Sequence, residues 1–380
     1  MPEIVAPVRM KVTEVRSVPL RLVRTAGSVT PAWSPDRDMT FNVGGGAFVE
    51  IHTDQGLIGI GPHVSETFLP AVRDYLIGKD PFDVERHAHA LRYYVRGTPY
   101  NGTAGIDIAL WDLIGKACGQ PLYRLWGGGK DVTTPYVSTI LLGTPEERAA
   151  FAEARAGEGW KAIKLRIHHD AMAEDLRTVE RVMAAVGDRM AVMVDANQAQ
   201  SSGTWQPGIL WDFRRAMETA FALDEMGVAW FEEPLPRYRY DQIAEMCGKV
   251  EMPIAGGENN PGLHEFVDMA ANGVYDLWQP ESMVMDGVTA LRKVGTLAEL
   301  RGKQIVPHHG GGNLGVIANM HLVASWPHAP YLELLHEPPI GDYRHGFAML
   351  ANAPEVKDGL LRVPQGPGLG VEIDPDMIAR

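Results

Sequence analysis

The chain is poor in cysteine, with only Cys118 and Cys247 among its 380 residues. Two cysteines form at most one disulfide, which excludes a disulfide-rich secreted scaffold and makes a reducing compartment the simpler expectation. Residues 1–16 also lack the apolar segment at the centre of a signal peptide. We therefore expect a cytoplasmic protein.

Long apolar runs and clusters of basic residues are missing as well. No uninterrupted apolar stretch reaches the roughly 20 residues that a membrane-spanning helix needs, so we expect no membrane partner. Acidic residues outnumber basic ones by 48 to 35, and the formal net charge is −13. Binding to nucleic acid needs a clustered basic surface, so we expect no nucleic-acid partner.

The chain has ordinary globular usage, with 45% hydrophobic and 22% charged residues, and its length suits a (β/α) barrel with one further domain. Residues 11–61 alternate like an antiparallel meander, and residues 68–125 follow the helical period. Strand-then-helix units then repeat past His308, which favours a parallel barrel. We predict an α+β domain over residues 1–130, a barrel over 131–345, and a segment over 346–380 that returns to the first domain.

Three carboxylates, Asp195, Glu232 and Glu258, each stand at or just past the end of an apolar, strand-like run. The three runs are residues 190–194, 228–231 and 252–255. The carboxyl ends of parallel strands meet at one face of a barrel, so the three acids should lie together. Hard oxygen ligands suit Mg²⁺, and the sequence therefore predicts a Mg²⁺ site.

Residues 103–113 and 119–128 are similar to the N-terminal signature of the mandelate racemase/muconate lactonizing enzyme-like branch of the enolase superfamily. Nearly the whole chain resembles that branch, which includes the acid-sugar dehydratases. The resemblance implies a modified (β/α)8 barrel covered by an α+β capping domain, with Asp195, Glu232 and Glu258 as ligands of a Mg²⁺ cofactor. It also implies a homo-oligomer.

Lys164 and Arg166 match a Lys-x-Lys motif on the second barrel strand of that branch, in which the second Lys often serves as a base. Arg stays protonated, so Arg166 is a poor proton acceptor and a good bidentate clamp for a carboxylate. Either Lys164 takes the base role or that face of the substrate has no base. The neighbouring His168 and His169 adjoin a polar run, and we expect them on a loop.

His308 matches the catalytic His of the seventh strand, and its spacing to the following helix favours it over His309. Glu281 occupies the position of the Asp that usually supports this His. Glu333 matches an eighth-strand Glu that stabilises a substrate oxygen in racemase-like members. We expect substrate contacts from Arg166, Glu333, His309 and Asn197, and catalysis by Lys164, His308 and Glu281.

Removing a proton next to a carboxylate gives a dianionic enediolate, which a divalent ion stabilises as a Lewis acid. If the substrate has a β-hydroxyl, His308 as general acid could expel it as water and leave a 2-keto-3-deoxy acid. The leading hypothesis is a Mg²⁺-dependent dehydratase of an aldonic or aldaric acid. The expected binding partner is this substrate, a small hydroxy acid. The alternatives are a racemase or epimerase that uses the same enediolate, and a barrel that binds ligand or metal without turnover. An enlarged loop is expected at residues 201–208 on the active-site face.

Overall fold

The computed structural model describes residues 9–93, 102–199 and 209–379, so the loop expected at 201–208 lies outside the described residues. The N-terminal region begins with five strands, which are β1 (Val12–Pro19), β2 (Leu22–Val29), β3 (Met39–Gly44), β4 (Ala47–Thr53) and β5 (Ile58–Pro62). β1, β4 and β5 form one antiparallel sheet, and β2 and β3 pair separately. The prediction of an antiparallel meander was therefore wrong. Alternation of apolar and polar residues predicts that a segment is a strand, but it does not predict which strand it pairs with.

In the described part of this region four helices follow, namely α1 (Leu69–Leu76), α2 (Val84–Leu91), α3 (Ala104–Cys118) and α4 (Leu122–Leu125). α3 packs closely on β5 because glycines line the contact. A Cβ atom on Gly61 would lie 2.0 Å from the Gly105 carbonyl oxygen, and one on Gly59 would lie 2.3 Å from the Ala109 oxygen. The two glycines of β5 are thus needed for this approach.

A short strand β6 (Val132–Thr133) leads into eight parallel strands. They are β7 (Pro135–Ser138), β8 (Ala162–Arg166), β9 (Ala191–Asp195), β10 (Phe231–Glu232), β11 (Ile254–Gly256), β12 (Leu277–Trp278), β13 (Gln304–Ile305) and β14 (Leu332–Leu335). β7 to β13 pair in sequence order and β14 pairs with β7, while no ladder joins β13 to β14 among the described residues. Placing the last strand beside the first is the arrangement that a barrel requires.

In the described part of the chain, one helix follows each of the first seven barrel strands. The helices are α5 (Pro145–Gly157), α6 (Met172–Val186), α7 (Phe213–Met226), α8 (Tyr240–Cys247), α9 (Leu263–Asn272), α10 (Val288–Leu300) and α11 (Leu314–Ser325). Side-chain caps determine where some of these helices begin. Thr144 and Glu147 form a capping box at α5, and Asp212 caps α7. Within the described residues, no helix is both long and apolar enough to span a membrane.

The chain ends with α12 (Arg344–Phe347), β15 (Val356–Lys357) and β16 (Leu360–Arg362). β16 pairs with β6, and bridges join Leu20 to Ile378 and Pro121 to Gly368. The C-terminal segment therefore contacts the N-terminal region, as expected from the sequence. The domain boundaries at residues 130 and 345 stay predictions.

His321 connects three parts of the chain from within the buried helix α11. Its Nδ1 accepts a hydrogen bond from the Tyr123 backbone N–H at 3.3 Å, and its Nε2 donates to the Leu369 carbonyl at 3.0 Å. Burial lowers the pKa of His321 to about 4, because its carbonyl partner compensates for only part of the lost hydration. This histidine is uncharged in the folded protein near neutral pH.

Candidate active site

Most of the predicted site residues lie at or beyond the carboxyl ends of neighbouring barrel strands, and Lys164 and Glu333 lie within β8 and β14. The register sets Arg166 on β8 beside Asp195 on β9, and Asp195 beside Glu232 on β10. Glu258, Glu281 and His308 follow β11, β12 and β13, and Glu333 is on β14. Barrel closure therefore brings together residues that are far apart in sequence.

Lys164 is fully buried among carboxylates. Its Nζ lies 2.5 Å from Glu232 Oε1, 3.0 Å from Glu333 Oε1 and 3.7 Å from Asp195 Oδ2. Burial by itself lowers the pKa of Lys164, but the negative charges of Glu232 and Glu333 outweigh it and raise the pKa above its usual range. In this arrangement Lys164 is a bound cation and a poor proton acceptor.

Arg166 is held by several partners. Its Nη1 contacts Asp195 Oδ2, its Nε donates to the Thr139 carbonyl at 2.8 Å, and its Nη2 donates to Ser138 Oγ at 3.1 Å. The Trp33 ring lies against the guanidinium, 5.0 Å from centroid to Cζ. These contacts fix the orientation of a permanent positive charge on this side of the site.

His308 pairs with Glu281 on the other side. Its Nδ1 lies 2.6 Å from Glu281 Oε2, and its Nε2 lies 3.3 Å from Glu258 Oε2. Burial lowers the pKa of His308, but the charges of Glu258 and Glu333 and the hydrogen bond to Glu281 raise it to about 10. About a fifth of the side chain is exposed (20%), so the ring is accessible to a small molecule.

His309 differs from His308 in its partners. The two rings are 4.3 Å apart, but His309 Nδ1 has no hydrogen-bond partner among the described residues. Burial and the adjacent His308 charge lower the pKa of His309 to about 4. Glu281 is thus the hydrogen-bond partner of His308 and not of His309.

Asn197 contacts a predicted metal ligand in this structure. Its backbone N–H donates to Asp195 Oδ1 at 2.7 Å and its Nδ2 donates to Asp195 Oδ2 at 3.1 Å. Its φ of 51° is in the left-handed region, which Asn tolerates better than most residues. The structure therefore shows Asn197 orienting Asp195, and its contact with substrate stays a prediction.

The three predicted ligands suit Mg²⁺ by their chemistry, since all are carboxylates on adjoining strands. Burial and neighbouring negative charge raise the pKa of Glu232 to about 7, although Lys164 opposes the shift, and the pKa of Glu258 is also raised. A cation would relieve this repulsion. Across the described residues, however, no group of three or more His, Cys, Asp and Glu side chains is arranged to hold a metal ion, and Lys164 contacts both Asp195 and Glu232.

The sequence analysis assigned no role to two buried neighbours of this cluster. Glu233 has a φ of 46°, and its Oε2 has no hydrogen-bond partner among the described residues. Burial and the negative charge of Glu258 hold the pKa of Glu233 well above its usual range. Gln279 donates from Nε2 to Glu232 Oε2 at 2.6 Å. In the sequence, Glu233 could have been identified as a site residue because it is adjacent to Glu232. The only such indication for Gln279 was its position two residues before Glu281.

Comparison with known families matches most of the chain. Residues 147–377 match the family described as "Enolase C-terminal domain-like". Residues 40–127 match the "Mandelate racemase / muconate lactonizing enzyme, N-terminal domain".

Similar proteins have several different activities. The chain is 28% identical to the arabinonate dehydratase of Saccharolobus solfataricus, over 85% of this chain and 87% of that protein. It is 30% identical to the D-galactarolactone cycloisomerase of Agrobacterium fabrum, over 90% of this chain and 92% of that protein.

Two solved structures share the fold along almost their whole length. The L-talarate dehydratase from Polaromonas sp. JS666, complexed with Mg and L-glucarate, is 26% identical and superposes with a TM-score of 0.78 over 97% of this chain and 96% of that chain. A racemase from Streptomyces coelicolor A3(2) with bound magnesium is 26% identical, with a TM-score of 0.77 over 96% and 97%.

These comparisons confirm the predicted fold class and, for the family, the Mg²⁺ cofactor. The relatives include dehydratases, a cycloisomerase and a racemase, so family membership does not select one activity. The chain belongs to the enolase superfamily, in its mandelate racemase/muconate lactonizing enzyme branch.

Proposed function

We propose that this protein is a Mg²⁺-dependent dehydratase of an aldonic or aldaric acid, which yields a 2-keto-3-deoxy acid. The observation that carries the proposal is the His308–Glu281 pair. Its Nε2 lies beside Glu258, at one end of the three predicted ligands, whereas Arg166 contacts Asp195 at the other end. This asymmetry supplies proton transfer from one side and a fixed charge from the other.

Asp195, Glu232 and Glu258 would hold the ion. Bound Mg²⁺ supplies Lewis-acid stabilisation of the negative charge that develops on the substrate carboxylate. The cation of Arg166 binds and orients that carboxylate from its own side.

Glu281 accepts a hydrogen bond from the protonated Nδ1 of His308, so the tautomer is fixed and Nε2 is the nitrogen that faces the substrate. As an imidazolium, His308 donates its Nε2 proton to the departing β-hydroxyl, which leaves as water. The remaining enol loses the proton of its C2 hydroxyl, takes up a proton at C3 and so becomes the 2-keto acid. The contacts of Lys164 with Glu232 and Glu333 favour His308 as the group that takes the α-proton, and variants of Lys164 and His308 decide between the two.

Racemisation or epimerisation is the second candidate, because a structural neighbour is a racemase. It needs proton exchange on both faces of the α-carbon. Arg166 cannot accept a proton near neutral pH, and Lys164 is engaged by Glu232 and Glu333. These contacts favour dehydration.

Proton NMR in D₂O with Mg²⁺ tests the proposal on a panel that includes arabinonate, galactarate and simple 2-hydroxy acids. We expect a 3-deoxy-2-keto acid from at least one panel member. Exchange of the α-proton without loss of water would favour racemisation, and no change across the panel would favour a non-catalytic barrel.

Glu258→Gln should abolish the product, whereas Glu218→Gln, in a surface ion pair with Arg214, should not. Lys164→Met and His308→Gln identify the proton acceptor, since loss of that residue stops α-proton exchange. The cytoplasmic location and the homo-oligomer stay predictions.

A further inference from the structure

Two adjacent histidines follow β8 and project to opposite sides of the barrel wall. Ile167 lies in the buried layer between strands and helices, and its N–H donates to the Asp195 carbonyl at 2.9 Å. The strand pattern therefore continues past Arg166, the last residue of β8. Since side chains alternate along a strand, His168 projects to the same side as Arg166, and His169 projects outward.

His169 is fully bonded on the outer side. Its Nδ1 lies 2.8 Å from Asp175 Oδ1 on α6, and its Nε2 lies 3.2 Å from the Gly143 carbonyl. Asp175 is also paired with Arg215 on α7 at 2.7 Å. This histidine joins the loop after β8 to two helices and has a structural role.

His168 has no such partner. Only 6% of the residue is exposed, and its Nε2 is buried without a hydrogen-bond partner in the described part of the chain. Burial, with a smaller contribution from the positive charge of Arg166, lowers the pKa of His168 to about 4. The ring is therefore uncharged near neutral pH and suits hydrogen bonding better than proton transfer.

A buried polar atom without a partner is unfavourable, and native proteins leave few of them. A ligand hydroxyl would satisfy this one. Arg166, two residues earlier on the same side of the strand, is suited to the substrate carboxylate, so a group further along the carbon chain is the partner available to His168.

We propose that His168 is a substrate-binding residue whose Nε2 hydrogen-bonds a hydroxyl of a polyhydroxy acid held by Arg166. This inference rests on the proposed function, because it assumes a substrate with hydroxyls beyond the α-carbon. A site built to pair with a hydroxyl discriminates strongly against acids that lack it. His168 would thus contribute to the choice of substrate.

The test is calorimetric binding of galactarate and arabinonate with Mg²⁺ to the full chain, in a His308→Gln background that prevents turnover. His168→Leu should weaken the binding of whichever acid the parent binds by roughly tenfold. His168→Gln should stay within about threefold, because its amide reaches the position of Nε2.

Thermal unfolding separates this role from a structural one. His168→Leu should unfold at the parent Tm or above it, since an unpaired polar atom is replaced by an apolar group. The control His169→Gln should lower Tm and leave the affinity unchanged.

The proposal is wrong if His168→Leu binds as tightly as the parent, if it lowers Tm as much as His169→Gln, or if neither acid binds the parent. Binding that depends on His168, found in a wild-type protein that forms no 2-keto acid, would instead overturn the proposed dehydration and leave the role of His168 standing.

Discussion

Glu281→Gln tests the pair on which proton transfer depends. Glu281 Oε2 accepts hydrogen bonds from His308 Nδ1 at 2.6 Å and from the Gly310 N–H at 3.0 Å. Oε1 accepts from the Met283 N–H at 2.9 Å and from Ser282 Oγ at 3.1 Å. The Gln amide keeps the size of the side chain but has one acceptor oxygen in place of two.

Neither orientation of the amide satisfies all four partners. If its oxygen faces Met283, its NH₂ group faces the Gly310 N–H and forces His308 into the tautomer with an unprotonated Nδ1. If its oxygen faces His308, the Met283 N–H loses its acceptor, which costs about 1–3 kcal/mol of folding free energy. The negative charge that favours the imidazolium is lost in both cases.

We expect kcat to fall about 100-fold, within the range that a positioned acid or base contributes, and KM to change by less than about threefold. The assay is initial velocity on the acid identified by NMR, with Glu218→Gln as the surface control. Glu281→Asp keeps the charge with a shorter reach and should give an intermediate kcat. A kcat for Glu281→Gln within about threefold of wild type would show that His308 does not depend on this carboxylate.

Three further outcomes are expected. His308→Gln should lower kcat by at least about 100-fold and His309→Gln by less than about tenfold, because His309 lacks a carboxylate partner; equal losses would contradict this assignment. Glu258→Gln should weaken Mg²⁺ binding by roughly tenfold or more in calorimetry, since a charged ligand is lost, and an unchanged affinity would remove Glu258 from the ligand set. His321 has a pKa of about 4 when folded against 6.5 as its ordinary value, so its contribution to stability is present above pH 6.5 and is lost as pH falls towards 4. Denaturant titrations at pH 7 and 5 measure how far the free energy of unfolding falls between the two pH values. The fall should be about 2 kcal/mol smaller in His321→Gln than in wild type, and identical pH dependence in the two proteins would refute this.

The sequence by itself predicted the barrel and the strand ends that carry its acids. Asp195, Glu232 and Glu258 each follow an apolar run, and repeated strand-then-helix units bring the carboxyl ends of the strands to one face. Those features are local, because periodicity and turn residues specify an element without reference to distant contacts. The resemblance added Lys164 and His308 by position in a shared motif.

Only the tertiary structure decided the partners of these side chains. Lys164 meets Glu333, which lies far along the chain on β14, because β14 pairs with β7 beside β8. The roles of His168 and His169 differ for the same reason. The His169 ring meets Asp175 on the outer side of the barrel, whereas Nε2 of His168 has no hydrogen-bond partner among the described residues. Hydrogen bonds and pKa values depend on which groups the folded chain brings within a few ångströms, and a linear pattern does not contain that information.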